Sequence, residues 1–301
     1  MEHDSRSSPA SVLGIGELLW DAFPEGHRLG GAPFNVVANL RRLGHRTAFV
    51  TAVGDDDLGR AALTAADDLG IDTTFVAIAL DLPTGTVDVK PDPIGGHRFA
   101  IRSPAAYESI GDGAALAARL AGWGPDGLVF GTLAQRFAGT RQLTDRVVGD
   151  ARPRHRLYDV NLREGCWSPD LMVDLLPLAT IVKVNEAEAG VMAEILGCAS
   201  VPQALGATLE ARFGVSTLCV TRGHEGAALW SAAELLSVEG MTVDVVDTVG
   251  AGDAFAAGLL HGILTGMPPR DTLAVANRLG ALVASRPGAL PEWTPAEVGP
   301  S

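Results

Sequence analysis

A chain of 301 residues, 47% of them hydrophobic, is long enough to bury one large α/β core. Its formal net charge of −13 excludes the basic footprint that nucleic acids and anionic membrane surfaces require. The three cysteines, Cys166, Cys198 and Cys219, lack metal-ligand spacing and read as small buried hydrophobes in a reducing cytoplasm, and no stretch reads as a signal peptide or a membrane span.

In chain order, residues 1–11 read as a disordered tail, 12–296 as one domain and 297–301 as a second tail. A strand at Ser11–Ile15 is followed by a helix at Asn35–Leu43, a strand at Thr47–Val53, a helix at Gly59–Leu69 and a strand at Thr73–Ala79. Further strands are predicted at Gly127–Phe130, Arg156–Val160 and Ile181–Val184, then helices at Glu186–Leu196 and Gln203–Phe213. A strand at Thr217–Val220 and helices at Ala254–Leu264 and Asp271–Ser285 complete the series. This alternation predicts a mostly parallel sheet with helices on both faces, and such sheets bind ligands at the carboxyl ends of their strands. One region interrupts it. Thr84–Lys90 and His97–Arg102 flank a Pro/Gly-rich turn and read as a hairpin, either a flap or an antiparallel edge of the main sheet.

The segment with the strongest chemical signal is Asp247-Thr-Val-Gly-Ala-Gly-Asp253, which opens an apolar helix. Gly250, Ala251 and Gly252 leave backbone N–H groups facing outward at a helix N-terminus, which is an anion site. Asp253 then has two open readings: a helix cap, or a base that takes the proton of an attacking hydroxyl while the N–H groups hold a phosphoryl group. A second constellation runs Gly14-Ile-Gly-Glu17-Leu-Leu-Trp-Asp21 and then Gly30-Gly31-Ala-Pro-Phe-Asn35. Its mixed acceptors and donors suit a hydroxyl-rich ligand, although Gly31 and Asn35 are equally readable as a turn and a cap. Other phosphate and catalytic motifs are missing. Lys90 precedes Pro and Lys183 precedes Val, so there is no Walker A loop, and neither Gly-x-Gly segment has the third glycine of a dinucleotide fingerprint. That disfavours a nicotinamide-dependent dehydrogenase.

Taken together, Gly30–Asn35 with Leu43-Gly44, and Asp247–Asp253, resemble the two signatures of the ribokinase-like (PfkB) carbohydrate kinases. The resemblance spans residues 12 to 293. It implies a three-layer α/β/α fold with a mostly parallel central sheet and a small β lid formed from about 17–30 and 83–103. It implies an enzyme that uses ATP and Mg²⁺ to phosphorylate a primary hydroxyl of a sugar, with K⁺ activating many members. Asp253 would be the catalytic base, and Gly250, Ala251 and Gly252 the anion hole. Glu17, Asp21, Gly31, Asn35 and Arg163 would meet the substrate. Asn185, Thr221, Gly223 and Asn277 would border the nucleotide. Glu188 would serve Mg²⁺, and Asp247 with the backbone of 286–288 a monovalent cation. Several segments are most similar to bacterial fructokinases, which implies fructose or a related ketose or sugar acid. A nucleoside or sugar-phosphate kinase is the alternative within the family, the latter drawing on Arg98 and Arg102. A non-catalytic sugar- or nucleotide-binding regulator is the alternative outside it. Many relatives pair through their lids, which implies a homodimer.

Overall fold

The structure, a computed structural model, describes residues 9–23, 26–91, 97–111 and 113–299. The strands are β1 (Ser11–Ile15), β2 (Leu19–Phe23), β3 (Gly26–Gly30), β4 (Arg46–Gly54), β5 (Val76–Ala79), β6 (Gly85–Pro91), β7 (His97–Ile101), β8 (Gly127–Gly131), β9 (His155–Asp159), β10 (Ile181–Asn185), β11 (Thr217–Thr221), β12 (Ala227–Ser231) and β13 (Glu234–Val238). The helices are α1 (Ala32–Arg42), α2 (Asp57–Asp68), α3 (Ala114–Trp123), α4 (Thr132–Gln135), α5 (Ala138–Asp150), α6 (Pro169–Leu175), α7 (Glu186–Leu196), α8 (Pro202–Phe213), α9 (Ala251–Leu264), α10 (Pro269–Ala284) and α11 (Pro295–Val298).

Successive residues of a buried strand point to opposite faces, and here they divide the core in two. Val12, Val129, Leu157 and Ile181 pack under α1, α9 and α10. Their neighbours Leu13, Leu128, Tyr158 and Val182 pack under α3, α5, α6, α7 and α8. Between these layers runs a sheet of order β13-β12-β11-β10-β9-β8-β1-β4-β5. It is parallel from β11 to β5 and ends in the antiparallel hairpin β12–β13. The expected three-layer α/β/α architecture is therefore present, and it places the ends of β1, β9, β10 and β11 along one rim.

The interrupting hairpin is a lid and not an edge of the main sheet. β6 and β7 join β2 and β3 in a separate four-stranded sheet of order β3-β2-β6-β7. Of the turn expected at Pro91–Gly96, Pro91 ends β6 and residues 92–96 lie outside the described residues. At the base of the lid, the Asp56 carboxylate caps α2 through Gly59 N and also accepts from Thr84 N and Thr84 Oγ1. Thr84 Oγ1 in turn accepts from Gly54 N, so β6 starts from a fixed point on the main domain.

Both expected tails overlap an element of the fold. β1 begins at Ser11, inside the expected tail 1–11, whose first eight residues lie outside the described region. The tail expected from 297 begins inside α11, where Thr294 and Glu297 form a capping box and Val298 is buried. Among the described residues no helix is long and apolar enough to cross a membrane.

Candidate active site

The site assembles where α1 and α9 start. Gly31 enters α1 at φ 116°, and a Cβ there would stand 2.2 Å from the Glu17 carbonyl oxygen, so only glycine lets the β1 exit loop touch the helix start. Gly250 starts α9 at φ 78°, and a Cβ there would stand 2.5 Å from Ala289 Cα. Among the described residues no side chain caps α9, and apart from Ala251 N, which donates to the Thr248 carbonyl at 3.3 Å, its first-turn N–H groups and the positive end of its dipole remain available to an anion.

Asn35 and Asp253 lie one turn into these two helices, and they meet. Asn35 Nδ2 donates to Asp253 Oδ2 at 2.8 Å. Asp253 is 8% exposed. Burial, with the charge of Asp159, raises its pKa to about 6, against the opposing hydrogen bond from Asn35 and the charges of Lys183 and Arg163. Glu17 is pushed up to about 7, chiefly by burial, and Asp21 to about 6 for the same reason, partly offset by Arg163. Among the described residues, Glu17 Oε2 and Asn35 Oδ1 are buried acceptors without a hydrogen-bond partner. Each would be satisfied by a donor entering the cavity.

Two cavities share the loop before α9. A polar one of about 320 Å³ is lined by Glu17, Asp21, Gly31, Asn35, Arg163, Asn185, Glu188, Gly250, Gly252 and Asp253, beneath Leu19, Val87 and Ile101 of the lid. A more apolar one of about 440 Å³ is lined by Gly223, Met241, Val243, Phe255, Asn277 and Ala281 among others. Thr221, Thr248 and Gly252 border both, and Ala251 borders the second. The N-terminus of α9 thus sits at the junction between a polar and a more apolar cavity.

Asp247, Glu188 and Asn277 also hold structural partners. Asp247 lines neither cavity. Its Oδ1 accepts from Val249 N, and its Oδ2 accepts from Gly288 N and from Arg28 Nη1 at 3.4 Å. It is a clasp joining lid strand β3 to the loop before α9. Glu188 lines the polar cavity, but its carboxylate completes the capping box of α7 with Asn185 and accepts from Leu162 N. Asn277 faces the apolar cavity while its Nδ2 donates to the Glu239 carbonyl.

Lys183 is the functional candidate missed in the sequence, where it served only to exclude a Walker loop. It is 6% exposed, lines the polar cavity, and donates to both oxygens of Asp159 at 3.0 Å. A lone lysine inside an apolar parallel strand was the available signal, since such a charge needs a partner. The loop 239–246, which supplies Gly240, Met241, Thr242, Val243 and Val245 to the apolar cavity, carried no motif and was also missed.

Comparison with known proteins agrees with this geometry. The pfkB family carbohydrate kinase pattern matches residues 18–112 and 134–295. The chain belongs to that family. The kinase is 30% identical to a fructokinase of Klebsiella pneumoniae over 295 residues, covering 92% of this chain and 94% of that one. It is 32% identical to the 2-dehydro-3-deoxygluconokinase of Bacillus subtilis over 273 residues, covering 86% and 82%. A solved fructokinase of Xylella fastidiosa with bound ATP superposes with a TM-score of 0.85 at 22% identity, over 96% of each chain, and so shares the kinase's ribokinase-like fold.

Proposed function

We propose that this sugar kinase transfers the γ-phosphoryl group of ATP to a primary hydroxyl of a ketose such as fructose, with Asp253 as general base. The observation that carries the reading is the Asn35–Asp253 hydrogen bond at the mouth of the uncapped α9, between the two cavities. The sugar would lie in the polar cavity under the lid. Its hydroxyls would satisfy Glu17 Oε2 and Asn35 Oδ1, which lack partners among the described residues. The base and ribose of ATP would lie in the apolar cavity beside Asn277, Gly223 and Thr221.

The attacking hydroxyl gives its proton to Asp253 as its oxygen bonds to the γ-phosphorus. The bond to the bridging oxygen breaks, and ADP leaves with the electron pair. First-turn amides of α9 around Gly250–Gly252 stabilise charge on the moving phosphoryl group. Asn35 fixes the Asp253 carboxylate, and lid residues Leu19, Val87 and Ile101 exclude water.

Mg²⁺ fits the site as a phosphate-bound ion. Among the described residues no cluster of three His, Cys, Asp or Glu side chains forms a cage. Glu188 and Asn185 would hold its water shell, because a carboxylate retains lone pairs after accepting two N–H groups. When bound, it neutralises the triphosphate. A monovalent cation at the Asp247 carboxylate does not fit as well, since Arg28 already supplies positive charge there.

Arg163 supports a second reading, a sugar acid, because it brings positive charge to the sugar cavity. A sugar phosphate is less well served. Arg102 is paired with Asp88 and lines neither cavity, and the Arg98 side chain lies outside the described residues. ADP release with MgATP and a panel of fructose, ribose, 2-keto-3-deoxygluconate, fructose phosphates and adenosine tests the assignment. Preference for fructose supports it, and preference for the sugar acid selects the second reading.

A further inference from the structure

Lys183 is one of two lysines in the chain, and its ammonium is buried at the floor of the polar cavity. Its Nζ lies 3.4 Å from where a Cβ on Gly252 would stand, so it sits against the same loop as the α9 amides. Among the described residues its hydrogen bonds are the two to Asp159 Oδ1 and Oδ2. An ammonium has three donors, so one remains for the cavity.

We propose that Lys183 is a catalytic residue whose ammonium, held by Asp159, contacts the phosphoryl group as it passes from the nucleotide to the hydroxyl. This rests on the reading that the phosphoryl group sits at Gly250–Gly252. A buried ion pair is a poor device for stability, because apolar residues of similar volume serve as well or better. A cation fixed beside an anion-binding loop, where water is excluded, is an effective device for stabilising charge that develops in a transition state. Asp159 is the positioning residue: two acceptors hold the ammonium in one place. Lys183 moves no proton in the step. The hydroxyl proton goes to Asp253, the new O–P bond forms, and the bridging electron pair stays with ADP.

The test measures binding of the non-hydrolysable imido analogue of MgATP and of MgADP to wild type, to Lys183→Met, and to Lys183→Met combined with Asp159→Leu. The double variant removes both charges and keeps the test valid if the single variant misfolds. The analogue should bind about 10- to 100-fold more weakly to both variants, as expected for a lost charge-assisted hydrogen bond, with MgADP affinity within about twofold of wild type. A merely structural role would not separate the two nucleotides. Analogue binding within about twofold of wild type would overturn the proposal. So would equal losses for both nucleotides, which would put the ammonium on a phosphate that ADP retains. The parallel variant Asp253→Asn separates the two layers: full turnover there refutes the base assignment, while the nucleotide comparison still judges Lys183.

Discussion

Asn35 and Asp253 are 218 positions apart in sequence, and their side chains are joined by a hydrogen bond of 2.8 Å. Each belongs to a different signature segment, each sits one turn inside its helix, and the glycine that opens each helix is sterically required. The contact therefore ties the sugar cavity to the phosphoryl site through two rigid helix starts.

Altering this contact should change the pH dependence of turnover. Asp253 must be ionised to accept a proton, and its pKa is raised to about 6. The rate should rise with pH and reach half its plateau near 6. Asn35→Asp places a second carboxylate against Asp253 and should move that limb upward by roughly a unit or more. A pH–kcat/KM profile of the two proteins checks this.

Stability should show the opposite trend with pH. The folded-state pKa of Glu17 is raised, so its contribution is fully present below about 4.5 and is lost as pH rises through about 7. Glu17→Gln, which cannot ionise, should be more stable than wild type at pH 8 by on the order of 3 kcal/mol, and nearly neutral at pH 4. Urea denaturation at the two pH values measures the difference.

The large architecture was legible because the strand and helix periods alternate cleanly in the sequence. The site was legible where small residues are forced, as at Gly31 and Gly250. Other features left weaker traces. The hairpin β12–β13 turns through Ala232 and Ala233 at φ 51° and 63°, where glycine or asparagine normally signals a turn. The strand expected from Thr73 starts at Val76, because Thr73 and Thr74 are held in a turn by Asp67 and Asp72. The contact between Asp247 and Arg28 joins residues 219 positions apart and appears only in the folded chain. The Lys183–Asp159 pair joins neighbouring strands and appears only once their register is known.

The lid should respond to its anchor. Thr84→Val removes the hydroxyl that donates to Asp56 and accepts from Gly54 N. The sugar KM should rise about three- to tenfold, in line with losing one or two hydrogen bonds, while affinity for MgADP stays near wild type. Steady-state kinetics with a binding isotherm tests it.

Asp247 offers a second lid contact on the opposite side. Arg28→Gln removes the ion pair to the loop before α9 while leaving the Gly288 and Val249 bonds to Asp247. The substitution should raise the sugar KM and make turnover more responsive to added K⁺, because a cation could then take the place of the guanidinium. Titrating K⁺ against Na⁺ for both proteins checks the second effect.

The central claim is that Asp253 removes the hydroxyl proton during phosphoryl transfer. Single-turnover transfer from labelled MgATP to the sugar chosen by the panel, compared between wild type and Asp253→Asn, tests it most directly. The transfer rate should fall roughly 10²- to 10⁴-fold in the variant, with sugar and nucleotide binding retained. A variant that transfers at more than about a tenth of the wild-type rate would contradict it.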